Sequence, residues 1–238
     1  MAFNKNYLQI DFTSGNFYAH SPEPKEGFEK NVSTKGNTTY RKYYKDGVTG
    51  TLEAVSIRES KIGNQISVNI KDGEEIYYLS IGLADQKGNV DNNYAESLIK
   101  FLPDLNRGQI ITIRGYNFTP DGEKYSRIGI SIKSGGEKLK ATMTNSYYKD
   151  GNLVNGDIPA LTFKKDALGK NRPTAVSQEA KNDYLLEVLK AQTERLAWVN
   201  SNGETQKEPT PPSNTATPVK ANGAPQPVEE GNNDDLPF

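Results

Sequence analysis

The chain has 238 residues, of which 34% are hydrophobic and 25% charged, with no cysteine, one histidine and a net charge of −1. This composition excludes a disulfide framework, a thiolate metal site, a cysteine nucleophile and a multi-histidine metal centre within one chain. The low apolar share also implies that part of the length never packs.

The first residues lack the basic start and apolar run of a signal peptide, and no stretch nears the ~20 apolar residues that span a bilayer. A soluble cytoplasmic protein without a membrane partner is therefore expected. Residues 7–12 read as a strand, and His20 as a solvated surface residue. Tyr40, Arg41, Tyr43, Tyr44 and Lys45 form an aromatic-basic cluster. Residues 48–57, rich in Thr, Val and Ile, predict another strand. Ile66, Val68 and Ile70 then alternate with Ser67, Asn69 and Lys71, the period of a half-buried strand. Asp72-Gly73 gives a hairpin turn, and 75–83 the partner strand, where Tyr78 is expected to face outward.

Residues 91–102 break the alternation. Ala95, Leu98, Ile99 and Leu102 recur at helical spacing, with Asp91 as N-cap and Pro103 beyond the end. Two strands follow, one burying Ile111 and Ile113 and the other Ile128, Ile130 and Ile132, with Pro120-Asp121-Gly122 turning between them. Strands, a helix and further strands are the order of an OB-type barrel. The fold class expected is mainly β: an OB-fold-like Greek-key barrel with extensions, one internal helix, a C-terminal helix and a disordered acidic tail.

Beyond residue 133 short β segments are predicted around 140–143 and 161–164. A helix over 178–199 follows, with Ser177 as N-cap and a stripe of Leu185, Val188, Leu189, Leu196 and Val199. That stripe serves either packing on the barrel or a contact between copies in a homo-oligomer. Composition then changes. Seven of the 13 prolines lie from Pro209 onward, and all 13 tyrosines at or before Tyr184. Glu204, Glu208, Glu229, Glu230, Asp234 and Asp235 against Lys207 and Lys220 leave the last stretch at −4, so residues 1–200 carry +3. The domains expected are an OB-like module over 1–176, the helix over 177–200, a disordered Pro/Asn/Thr-rich linker over 201–233 and a tip over 234–238.

The outward faces of the two isoleucine strands carry the chemistry. If the isoleucines are buried, Arg114, Tyr116 and Phe118 share one side of the sheet with Tyr125, Arg127 and Lys133. Rings beside cations suit unpaired nucleobases, since rings stack on bases and cations track phosphates. The same faces would also serve cross-strand pairing that only stabilises the sheet. The pentapeptide Tyr43-Tyr44-Lys45-Asp46-Gly47 recurs as Tyr147-Tyr148-Lys149-Asp150-Gly151; it marks either two similar turns or two loops touching nucleic acid. The nucleic-acid contacts expected are thus Arg114, Tyr116, Phe118, Tyr125, Arg127, Lys133, Tyr40, Arg41, Tyr43, Tyr44, Lys45, Tyr78, Tyr147 and Tyr148. Phosphate-cradling glycine loops and nucleophile elbows are missing, so neither an enzyme nor a cofactor or metal is expected.

The chain ends Asp234-Asp235-Leu236-Pro237-Phe238. Folding gains nothing from Leu-Pro-Phe after a polar arm. As a ligand it makes sense, because an apolar pocket with a basic rim can take the ring while the aspartates meet that rim. This end resembles the C-terminal tip of bacterial-type single-stranded DNA-binding proteins. The resemblance implies an OB domain that binds single-stranded DNA and a tip that docks onto replication, recombination and repair proteins. The family's opening strand followed by Gly-Arg-Asp-Pro is absent here, which points to a divergent, phage-encoded relative acting in the bacterial host cytoplasm. The competing reading is an interaction protein that binds no DNA and uses the tip to recruit or compete for replication factors.

Overall fold

The computed structural model describes residues 3–33, 36–60, 63–83, 90 and 92–197. The chain divides into two units, residues 1–208 and 209–238, and every described residue lies in the first. Asp91, Val199, the 201–233 segment and the tip residues Asp234, Asp235, Leu236, Pro237 and Phe238 lie outside the described residues.

The elements in chain order are β1 (Asn4–Ile10), β2 (Phe17–Ser21), β3 (Glu29–Val32), β4 (Thr38–Tyr44), β5 (Val48–Arg58), β6 (Gln65–Asp72) and β7 (Glu75–Gly82). Helix α1 (Asn93–Phe101) and a 3-10 turn (Leu102–Asp104) lead to β8 (Ile110–Phe118), β9 (Arg127–Ser134) and β10 (Glu137–Lys138). Two short hairpins, β11 (Tyr147–Lys149) with β12 (Asn152–Val154) and β13 (Phe163–Lys165) with β14 (Asn171–Pro173), precede α2 (Ala175–Arg195).

The protein is mainly β. Ten strands form one mixed sheet in the order β10-β9-β8-β5-β6-β7-β1-β2-β4-β3. Alternation builds it: Ile66, Val68 and Ile70 pair across β7 with Ile81, Leu79 and Tyr77, and Ile113 pairs with Ile132 across β8 and β9. Ile111, Ile113, Ile130 and Ile132 are buried as the period predicts, while Ile128 is half-buried.

The expected closed barrel is not present among the described residues. The far edge of β7 is taken by β1, which pairs with it in parallel from Asn4 to Gln9, so β9 forms no ladder there. Two other contacts fold the sheet back. Ser97 on α1 sits on the free edge of β9, its hydroxyl accepting from Ile130 N at 2.9 Å and donating to Ile130 O at 3.2 Å. The turn between β1 and β2 also crosses β8 at a glycine pair. A Cβ on Gly115 would lie 2.2 Å from Gly15 O, and one on Gly15 2.5 Å from the Tyr116 carbonyl carbon. Asn117 Nδ2 seals this crossing by donating to Phe12 O at 2.8 Å.

Both helices pack on this sheet, and both begin away from their expected caps. The N-cap of α1 is Asn92, whose side chain accepts from Tyr94 N. That of α2 is Thr174 rather than Ser177; the Ser177 hydroxyl instead bonds within the Thr162–Thr174 network that leads into the helix. Leu185, Leu189 and Leu196 of the expected stripe are buried within the chain, and Val188 is half-buried against them. Leu196 O accepts from Val55 N at 2.9 Å, covering the part of β5 that extends past β8. Arg195 ties the helix end down, donating to Leu102 O and Leu105 O at 2.7 Å each. No helix among the described residues is long and apolar enough to cross a membrane.

Candidate nucleic-acid interface

The outer surface of the β8–β9 hairpin follows from its register. Thr112 stands opposite Lys133, Arg114 opposite Ser131, Tyr116 opposite Gly129 and Phe118 opposite Arg127. Directly opposed residues share a face, so this side carries rings and cations while the other carries isoleucine. Neither strand contains a carboxylate. The rings of Tyr116 and Phe118 lie 5.9 Å apart at 52°. Phe118 is 52% exposed, and Tyr125, in the turn between the strands, is 74% exposed with Lys124 Nζ 5.7 Å from its ring. Arg114 and Lys133 are exposed. Arg127 is held by Glu123 in the same turn. Tyr116 is half-buried because its hydroxyl end lies where a side chain at 129 would stand: a Cβ on Gly129 would come within 2.7 Å of the Tyr116 Oη. Glycine there leaves room for the ring.

The face continues across the sheet. Thr112 pairs with Thr49, Thr51 with Lys71, Lys71 with Ile76, and Ile76 with Lys5. Alternation along β1 brings Tyr7 and Gln9 to the same side, and Gln9 pairs with Tyr18, which pairs with Tyr43. The guanidinium of Arg41 lies 4.3 Å from the centre of the Tyr18 ring, and the Tyr18 and Tyr43 rings are 5.8 Å apart. Tyr18 donates to Gln9 Oε1 at 2.9 Å. Burial raises the Tyr18 phenol above its ordinary value although Arg41 pulls the other way, so the hydroxyl remains a donor at neutral pH. Gln9, Tyr18 and Arg41 border a cleft of about 900 Å³ whose lining also includes Asp11, Tyr94 and Ile128. The same packing pushes the Tyr94 phenol up to about 12, through burial and then the Asp11 carboxylate.

The cluster at 40–45 is divided by the strand it forms. Arg41 and Tyr43 join Tyr18, whereas Tyr40 and Tyr44 face the opposite side; Tyr44 meets Tyr77 edge-on at 5.8 Å. Lys45 is exposed in the turn after β4. Tyr78 lies on the same side as its partner Tyr7 but is not exposed there: it is 1% exposed, stacked on Tyr7 at 4.9 Å and 18° with Arg58 5.2 Å over its ring. Strand β7 has neighbours on both edges and cover on both faces, so alternation does not separate a wet side from a dry one. Tyr77, the half-buried member of the pair, donates to the Glu75 carboxylate; burial and then that carboxylate push its phenol well above the ordinary range.

The repeated pentapeptide takes two different forms. Asp46-Gly47 joins β4 to β5, with Gly47 at φ 89° against Ile113 O. Asp150-Gly151 closes the β11–β12 hairpin with both residues at positive φ, 51° and 80°. Tyr147 and Tyr148 are 53% and 51% exposed there.

The sequence reading missed Tyr18 and Gln9. The segment Phe17-Tyr18-Ala19-His20-Ser21 does alternate, with Phe17 and Ser21 buried and His20 exposed, so a period-two reading of these five residues was the available signal. Among the described residues no group of three or more His, Asp or Glu side chains is placed to hold a metal ion. No protein-family model matches the chain, and no curated protein or solved structure matches it either.

Proposed function

We propose that the protein binds single-stranded DNA without sequence preference, coating and protecting strands exposed during replication, recombination and repair. The observation that carries the reading is the outer face of β8 and β9, strands that contain no carboxylate, where Tyr116 and Phe118 stand among Arg114, Lys133 and Arg127, the last paired with Glu123 of the turn. Rings stack on unpaired bases for about 1–3 kcal/mol per base, and every base offers a π face, so no sequence code is needed. A duplex hides those faces within its own stack, which favours the single strand.

The run β5–β6–β7–α1–β8–β9, with β8 beside β5, follows the order of an OB module. Strands β1 to β4 are then an N-terminal extension of its sheet. In OB folds the loop between the fourth and fifth strands takes part in oligonucleotide binding. Its counterpart here, residues 119–126, carries Lys124 and Tyr125. Replication, recombination and repair proteins are recruited through Asp234, Asp235, Leu236, Pro237 and Phe238, whose aromatic end and acidic flank suit an apolar pocket with a basic rim.

The test is fluorescence anisotropy with labelled oligo-dT, against a duplex of equal length, at two salt concentrations. Tight single-strand binding that weakens with salt, and weak duplex binding, are expected. Tyr116→Ala weakens the single-strand complex by about tenfold or more. Absence of single-strand binding at low salt would sink the reading.

A further inference from the structure

The 139–173 extension contributes no strand to the ten-stranded sheet, yet it holds a concentration of exposed apolar side chains. Tyr147, Tyr148, Leu153, Phe163 and Leu168 are each at least 49% exposed. Soluble proteins rarely gather such groups in one segment without a ligand for them. Tyr147, Tyr148, Pro159, Leu161, Thr162 and Phe163 line a groove of about 590 Å³, within the about 300–1,000 Å³ typical of small-ligand sites.

The charge around the groove selects its occupant. Residues 138–173 contain seven lysines and arginines against three carboxylates, Asp150, Asp157 and Asp166. Two of those carboxylates are engaged: Asp157 accepts from Thr144 N at 2.8 Å, and Asp166 from Arg172 Nε at 2.8 Å. Lys149 follows the two tyrosines, and Lys164 and Lys165 follow Phe163, all exposed. Protein interfaces deplete lysine among their central rings, whereas single-strand sites interleave rings with cations.

The extension is also held in place. Thr142 donates to the Asp104 carboxylate through its backbone N at 2.9 Å and its hydroxyl at 2.8 Å. Ile158 is fully buried, and the Thr162 and Thr174 hydroxyls meet at 2.7 Å where the second hairpin joins α2. A groove anchored in this way loses little freedom when it is filled. Its cations connect with the β8–β9 face, because Lys133 on β9 pairs with Lys138 on β10, and exposed Lys140 follows.

We propose that this groove is a second platform for the same single strand, its rings stacking bases after the backbone has followed Lys133, Lys138 and Lys140 off the sheet. The proposal rests on the strand-binding reading and lengthens the site beyond one face. The full-length protein and a Tyr148→Ala/Phe163→Ala variant, checked for folding by circular dichroism, are titrated with oligo-dT below about 8 and well above about 16 nucleotides, since one OB fold covers roughly 4–16. The variant is expected to lose about tenfold or more on the long oligomer and less than about twofold on the short one. In parallel, iododeoxyuridine-substituted oligo-dT is photo-cross-linked to the wild type, with adducts expected both on β8–β9 and on peptides spanning 147–163.

Wild-type binding with cross-links confined to β8–β9, and unchanged long-oligomer affinity in the variant, overturns the second platform and leaves the strand-binding reading standing. A wild type that binds no oligomer of either length overturns both. Capture of a peptide by the groove, lost in the variant while long-oligomer affinity is kept, overturns the platform in favour of a protein-docking surface.

Discussion

Glu96 lies between two lysines, Lys100 Nζ at 2.7 Å and Lys181 Nζ at 2.6 Å, with its side chain only 16% exposed. Burial alone would raise its pKa, but the two ammonium groups outweigh burial and hold the carboxyl below its ordinary value of 4.5. A depressed folded-state pKa contributes stability that is fully present above the unfolded value and is lost as pH falls through the folded one. Glu96→Gln should therefore cost about 2 kcal/mol near neutral pH. The gap between variant and wild type should close as pH drops below 4.5, read by urea denaturation across that range. A gap independent of pH would assign the loss to packing. The pair Lys181–Glu96 links α2 to α1, so this one carboxylate joins both helices.

At the scale of elements, the sheet is folded back by close approach instead of by a closing ladder. Gly15 has φ 76°, and a Cβ on Gly115 would lie 2.2 Å from its carbonyl oxygen. Gly115→Ala should destabilise the protein by about 1–3 kcal/mol, the usual cost of overpacking. Because Gly115 stands opposite Ile130, on the side of β8 away from the rings, the same variant should weaken oligo-dT binding only to the extent that folded protein is lost. An unchanged melting temperature would show that the β1–β2 turn is free to lift from β8. On the outer face of the β8–β9 hairpin Phe118 is 52% exposed and Tyr116 half-buried over Gly129, while Tyr78 of β7 is covered by Tyr7 and Arg58.

For the whole molecule, charge and composition change along the chain. Residues 1–200 carry +3 and the remainder −4, and the candidate contacts for nucleic acid all fall in the first part. Deleting Leu236, Pro237 and Phe238 should abolish capture of replication and repair proteins and leave oligo-dT affinity unchanged, measured by pull-down and anisotropy on one preparation. Pull-down that survives the deletion would refute the role given to the tip. The strands themselves were legible in the chain, because a period of two in Ile66, Val68 and Ile70, or in Ile111 and Ile113, turns alternate side chains to one face of a sheet. Ser67 and Asn69 on the other face of β6 are nevertheless buried as well, and not wet as the alternation implies. That same local rule placed Arg114, Tyr116, Phe118, Arg127 and Lys133 on one surface, since opposed residues on a hairpin share a face. It gave no access to relations between distant segments. The parallel seat of β1 beside β7, the burial of Tyr78 beneath Tyr7 and Arg58, the meeting of Tyr18 with Arg41, and the passage of Gly15 over Gly115 join residues brought together only by tertiary packing. Alternation states which way a side chain points; only the folded chain decides what arrives to cover it.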